Sequence, residues 1–220
     1  IAAIILVYRE GEPAGVRRFL ARAFDYRRIT RKRWYIPIFF LMPALYVITY
    51  WAMRSAGMPV PAEYHVPVTV PLLFVMFFLA AMGEEMGYSG YATDPLQDRY
   101  GALKAALIIG PIHAVWHWPS MIMIGQSAGL FATGTLLTIS FRILTVWIYN
   151  NSGHSVFATI LFHAVTNTGR SVFPGSRSAM ELGDAAIAYS IVMFAAFLVA
   201  ALWDAETMTR VPDRGHKEKG

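Results

Sequence analysis

Residues 68–91 read VTVPLLFVMFFLAAMGEEMGYSGY, an apolar run that carries no charge until two adjacent carboxylates, Glu84 and Glu85, near its end. A stretch of this length can cross a hydrocarbon core of about 30 Å as a helix. It lacks the strict alternation of polar and apolar residues that marks a strand of a membrane barrel. The question it raises is why a membrane helix would hold two acids side by side.

The rest of the chain has the same character. Of 220 residues, 56% are hydrophobic, 14% aromatic and only 15% charged, and the mean hydropathy is +0.44. That balance is far from an ordinary soluble domain. It predicts an all-α fold, a polytopic transmembrane helical bundle forming a single transmembrane domain over residues 1–220. Complete spans are expected at 34–53, 68–91, 103–124, 130–149, 155–172 and 185–203, six in all, with residues 1–8 as a partial N-terminal span. The absence of cysteine excludes disulfides, a thiol nucleophile and thiolate metal ligands.

Charge sets the expected orientation. Segment 9–33 holds Arg9, Arg17, Arg18, Arg22, Arg27, Arg28, Arg31, Lys32 and Arg33, nine of the 19 basic residues. The positive-inside rule makes this linker cytoplasmic. The tail 204–220, with Arg210, Arg214, Lys217 and Lys219, falls on the same side, because six crossings is an even number. The net charge of +5 is thus a matter of topology. The linker reads as a segment lying on anionic lipid rather than as a nucleic-acid site. Expected partners are membrane lipids and a membrane-associated protein or peptide, with no nucleic acid. The expected location is the plasma membrane.

Ionisable groups at bilayer depth cost from about 2.5 kcal/mol upward. Here they are Glu84, Glu85, His113, His117, Arg142 and His163, with Asn167 as an amide companion. His113 and His117 form H-x-x-x-H and so share one helix face, as do His163 and Asn167 in H-x-x-x-N. A lone membrane histidine is ordinarily bonded to a neighbouring helix. Two acids, three histidines and an amide on three helices fit a hydrated reaction centre or an ion path better.

The chemistry of these groups allows two enzymatic readings. In one, Glu84 is a general base that takes a proton from water, while imidazole and carboxamide N–H groups hold the oxyanion of a tetrahedral intermediate. In the other, a carboxylate and two histidines (Glu84, His117 and His163) ligate a zinc ion that activates the water. The soluble zinc-protease signature H-E-x-x-H is absent, since His113 and His117 enclose Ala114, Val115 and Trp116. Residue types alone leave both readings open. A non-enzymatic alternative is a membrane scaffold, or a proton-coupled transporter using the same groups as a relay. The paired repeats expected of a transporter are not seen.

Glu84-Glu85 followed by Gly90-Tyr91, then HAVWHWP at 113–119, then LFHAVTN at 161–167 resemble the CPBP family, the CAAX-protease and bacteriocin-processing enzymes also called Abi proteins. The family pattern is a Glu-Glu-x-x-x-Arg box, an aromatic- or His-x-x-x-His box and a His-x-x-x-Asn box, in that order. The boxed core spans about 82–167, and the basic linker and last span also sit where family members have similar features. The resemblance implies an all-helical intramembrane endopeptidase. It implies that Glu84 activates water with help from His117, that His163 and Asn167 stabilise the oxyanion, and that Glu85 supports the site. His113 and Arg142 are candidate supporting residues. The glutamate mechanism implied needs no cofactor, although zinc remains a candidate on the residues.

One position departs from the pattern: the first box should end in arginine, and the chain has Ser89. Either Arg142 turns inward to supply the missing charge, or it snorkels to the headgroups near Asn150, the plainer reading for a long side chain two turns from a helix end. Three smaller expectations complete the picture. Gly83, Gly87 and Gly90 would let helices approach closely. His65 and His154 would be solvated, and 174–183 would be a polar loop on the outer side. At 1.5 Å per residue His163 lies about 12 Å, and His117 about 21 Å, from the cytoplasmic ends of their spans, a mismatch that tilt or a kink at Pro111 would have to close.

Overall fold

The computed structural model describes residues 2–58, 60, 67–173 and 185–210. His65, the segment 174–183, Arg214, Lys217 and Lys219 lie outside them. The described residues form helices and short connections, with no strand among them. Eight α-helices follow in order: α1 (Ala2–Ala21), α2 (Tyr35–Ser55), α3 (Val70–Gly87), α4 (Thr93–Tyr100), α5 (Ala102–Met123), α6 (Ala128–Asn151), α7 (Val156–Ser171) and α8 (Ala185–Leu202). Three short 3-10 turns between Arg22 and Trp34 join α1 to α2, and a π-helical turn, Tyr88–Ala92, joins α3 to α4.

Helices α6 and α7 pack on each other at the centre of a ring formed by α5, α8, α2 and α3. The buried positions of α6 run without a break from Phe141 to Tyr149, so this helix has no solvent or lipid face over that stretch. A helix apolar all round is what a bundle centre requires. The outer helices instead leave large apolar side chains exposed, among them Phe40 and Trp51 on α2, Leu72 and Met76 on α3, Ile112 and Trp116 on α5, and Phe194 and Phe197 on α8. In water such faces would aggregate; against acyl chains they cost nothing.

Among the described residues three helical segments are long and apolar enough to cross a membrane: Lys32–Ser55, Val70–Tyr100 and Ala128–Asn151. The other expected spans are present as helices of a different quality. Helix α5 includes His113, His117, Pro111 and Pro119. Helix α7 is 16 residues long, and α8, Ala185–Leu202, is 18 residues long. Residues 2–8 of the expected partial span and the first half of the basic linker are one continuous helix, α1.

The described parts of the basic linker and of the segment after α8 gather at one end of the bundle. Arg22 donates to the Gly90 carbonyl (2.6 Å) and to the Tyr149 hydroxyl, tying the linker to the π-turn and to the end of α6. Asp25 caps α7: it accepts from the Ser155 hydroxyl (2.7 Å) and from the Val156 and Phe157 amides. A carboxylate at a helix N-terminus satisfies otherwise orphaned N–H groups and meets the positive end of the dipole. The segment after α8 closes the same end, with Asn150 and Asn151 donating to the Thr207 and Met208 carbonyls.

Of the three glycines expected at close contacts, only Gly90 has a neighbour there. A Cβ on it would lie 3.3 Å from the Phe19 ring, whereas Gly83 and Gly87 face open space. The tight approach is elsewhere, between α5 and α6, where a Cβ on Gly110 would meet the Ile139 backbone at 3.1 Å.

Candidate functional site

Four helices converge near the middle of the bundle. Helix α3 ends with Glu84 and Glu85 one residue apart, so the two carboxylates point in directions about 100° apart around the axis. Glu85 is fully buried, while the Glu84 side chain keeps 23% of its surface. The π-turn that follows widens the helix just after the acids, a feature frequent at functional sites.

Glu85 is the anchor. Arg142 on α6 grips it with two parallel bonds, Nη1 to Oε2 and Nη2 to Oε1, each 2.9 Å. Ser89, one helical turn on, donates to Oε2 (2.5 Å), and His163 Nδ1 on α7 lies 2.9 Å from Oε1. Arg142 therefore does not snorkel. Its side chain is fully buried, and its guanidinium also sits 4.7 Å from the centre of the Tyr88 ring. A buried carboxylate without a cation is far more costly than a long side chain kept from the headgroups, so the inward rotamer wins. Ser89 takes part as a hydrogen-bond donor and supplies no charge.

Arg142 also fixes the state of a second residue. Its Nη2 is 3.0 Å from His113 Nδ1. A guanidinium only donates, so Nδ1 must be the acceptor and the ring proton of neutral His113 sits on Nε2. That nitrogen is 3.1 Å from Glu84 Oε2 and 3.1 Å from His117 Nε2. Glu84, His113 and His117 thus form a tight triangle with Glu84 as the acceptor of the His113 proton.

The same logic applies to His163. Glu85 accepts, so Nδ1 of His163 carries a proton, and the neutral ring offers Nε2 as an acceptor only. Asn167, one turn further, lies beside Arg170, whose Nη2 is 3.5 Å from Oδ1. This orientation leaves the Asn167 amide hydrogens free to donate.

His113, His117, His163, Asn167 and Arg170 line a cavity of about 40 Å³, together with Tyr46 and Met42. At roughly 10–15 Å³ per water it has room for about three or four molecules. Glu84 is not among the lining residues and reaches the cavity through the two histidines of α5.

The histidine that meets α7 is His113, whose ring centre is 5.9 Å from that of His163. It lies one turn nearer the start of α5 than His117, which removes much of the expected depth mismatch. His154 is not simply solvated, since its Nδ1 is 3.2 Å from Asp94 Oδ1.

Glu84, His113 and His117 each offer one ligand atom within 4.8 Å of the others. This differs from the expected trio of Glu84, His117 and His163, because His163 is held by Glu85 and is no part of the cluster. A ligating histidine donates its other N–H to an acceptor. His113 instead accepts from a cation at Nδ1, which places its proton on the nitrogen that would have to bind the metal. Two protein ligands then remain, too few for a three-ligand catalytic zinc site, and the cluster fits zinc poorly.

Sequence reasoning missed the parts played by Ser89 and Tyr88. Ser89 lies four residues after Glu85, the spacing of one helical turn, and that signal was available. Tyr88, whose ring centre is 4.8 Å from that of His113, gave none.

Two comparisons with known proteins bear on the site. A family model described as type II CAAX prenyl endopeptidase Rce1-like matches residues 66–169, a span that holds every residue of the cluster. The chain is also 27% identical over 192 residues to CAAX prenyl protease 2 of Methanococcus maripaludis, covering 78% of this chain and 68% of that protein.

Proposed function

We propose that the chain is a protease of the CPBP family, a reading supported by its match to the Rce1-like model and its similarity to CAAX prenyl protease 2, and that it cleaves its substrate with water activated by Glu84, without a metal. It is an integral membrane peptidase, an intramembrane endopeptidase acting on a membrane-associated protein or peptide. The observation that carries the mechanism is the contact of Arg142 with His113 Nδ1, which directs the His113 Nε2 proton to Glu84.

In this mechanism a water sits between Glu84 and His117. As its oxygen attacks the carbonyl carbon, one proton passes to the Glu84 carboxylate and the carbonyl π electrons move onto oxygen. The Asn167 amide donates to that oxyanion, and His163 joins it when doubly protonated, because its Nδ1 proton is already committed to Glu85. On collapse the C–N bond breaks, and Glu84 returns the proton to the leaving amine. The immediate products are a carboxylic acid, which keeps the second proton of the water, and an amine; they exchange that proton to become a carboxylate and an ammonium, and the Glu84 carboxylate is regenerated. Glu85, Arg142 and Ser89 hold the geometry and do not react.

The names of the matching family and relative favour a CAAX-type substrate, a C-terminal tail carrying a prenylated cysteine. We further read the fold as one domain with six crossings, in which α5, α7 and α8 cross beside the three longer spans. The end that gathers the basic linker and the residues after α8 faces the cytoplasm at the plasma membrane.

Kinetics on a membrane-tethered peptide test the roles. Glu84→Gln is expected to lower kcat by two to four orders of magnitude, and Asn167→Ala by about 100-fold, with KM little changed in both. Wild-type turnover in Glu84→Gln would remove Glu84 as the base. Unchanged kcat in Asn167→Ala would remove the amide from the oxyanion site.

A further inference from the structure

A second cavity, of about 680 Å³, lies at the end of the bundle away from the reactive cluster. Arg31, Arg33 and Arg210 converge on it, and Trp34, Asn150 and Trp203 help form its walls. No carboxylate lines it, and none pairs with these three arginines among the described residues. Arg210 stacks over Trp203 at 5.4 Å. Among the described residues the cavity has positive charge, room and no internal counter-ion.

A further observation points to a ligand. Trp34 is 9% exposed, and its indole Nε1, a donor, is buried without a hydrogen-bond partner. A buried unsatisfied donor costs free energy that a bound acceptor returns. Cavity, guanidiniums and indole together call for an acceptor-rich anion.

We propose that this cavity binds the phosphate headgroup of an anionic membrane lipid. The phosphate chemistry follows from the arginines, which favour bidentate contacts with phosphate oxygens. The lipid as its source follows from position. Trp34 begins one membrane helix, Asn150 ends another, and Trp203 directly follows α8, so the cavity opens where headgroups lie, with tryptophans at the level they prefer. Basic pockets between membrane helices are sites of this kind. A lipid bound there would clasp the ends of α2, α6 and α8, and α6 carries Arg142.

The test uses the full chain in nanodiscs of phosphatidylcholine with a minor fraction of phosphatidylglycerol, with native mass spectrometry counting the lipids retained on release. The variant Arg31→Gln/Arg33→Gln/Arg210→Gln is compared with a charge-matched control, Arg9→Gln/Arg17→Gln/Arg18→Gln on α1. Wild type and control should retain one phosphatidylglycerol, and the site variant should lose it with an affinity drop on the order of a hundredfold. Circular dichroism checks that each variant is folded. If the site variant is misfolded, Trp34→Phe, which removes only the indole N–H, should still weaken retention. Equal retention by site variant and wild type, or equal loss in both triple variants, would overturn the proposal in favour of no site or a diffuse surface field. Displacement of the lipid by millimolar inorganic phosphate would overturn the lipid source and assign the cavity to a soluble phosphate.

Discussion

Removing Arg142 alone is expected to leave Glu85 as a buried, uncompensated charge and to cost about 3–5 kcal/mol of stability, read as a large fall in unfolding temperature in detergent. The double variant Glu85→Gln/Arg142→Met removes both charges and should be clearly more stable than Arg142→Ala. Both should be inactive, because His113 loses the donor that fixes its proton. A single variant as stable as wild type would show that the pair is not buried as described. The reactive residues were legible in the sequence because each is costly in an apolar run: Glu84, Glu85, His113, His117, His163 and Asn167 all stood out. The partner of Glu85 was not legible. Arg142 is 57 residues away, and its distance from a helix end permits snorkelling as readily as an inward turn. Only the packing of α6, buried on all sides at that level, decides between them. Which nitrogen of His113 bears the proton depends on that same contact and leaves no trace in sequence.

At the scale of elements, hydropathy found the helices but not their junctions. The π-turn at Tyr88–Ala92 looks like helix continuation in sequence, and α1 runs through a stretch that looks like a charged linker. The contact that sets α5 against α6 is Gly110 on Ile139. Gly110→Val should push these helices apart and loosen the His113–Arg142 contact, lowering kcat well beyond its effect on expression; unchanged kinetics would show that the approach is not required. The cap of α7 offers a gentler perturbation. Asp25→Ala removes the acceptor for Ser155, Val156 and Phe157, and about 1–2 kcal/mol of stability should go with it, measured by thermal unfolding. Neither device was visible in sequence, since Asp25 sits among arginines and Gly110 among apolar residues.

For the whole molecule, composition decided the class of fold, and the exposed apolar faces of α2, α3, α5 and α8 agree with it. Two of the four helices that build the site, α5 and α7, give up hydropathy to carry His113, His117, His163 and Asn167, whereas α3 and α6 stay apolar enough to cross a membrane while holding Glu84, Glu85 and Arg142. The cavity beside these residues holds water but not a peptide, so substrate entry requires the surrounding helices to part. The direct test is cleavage of a membrane-tethered peptide in liposomes by wild type and by Glu84→Gln, each before and after treatment with a zinc chelator and again after zinc is restored. Glu84-dependent cleavage that survives chelation is the predicted result. Cleavage abolished by the chelator and recovered with zinc would contradict it, and would mean that His113 gives up its proton on Nε2 and binds a metal.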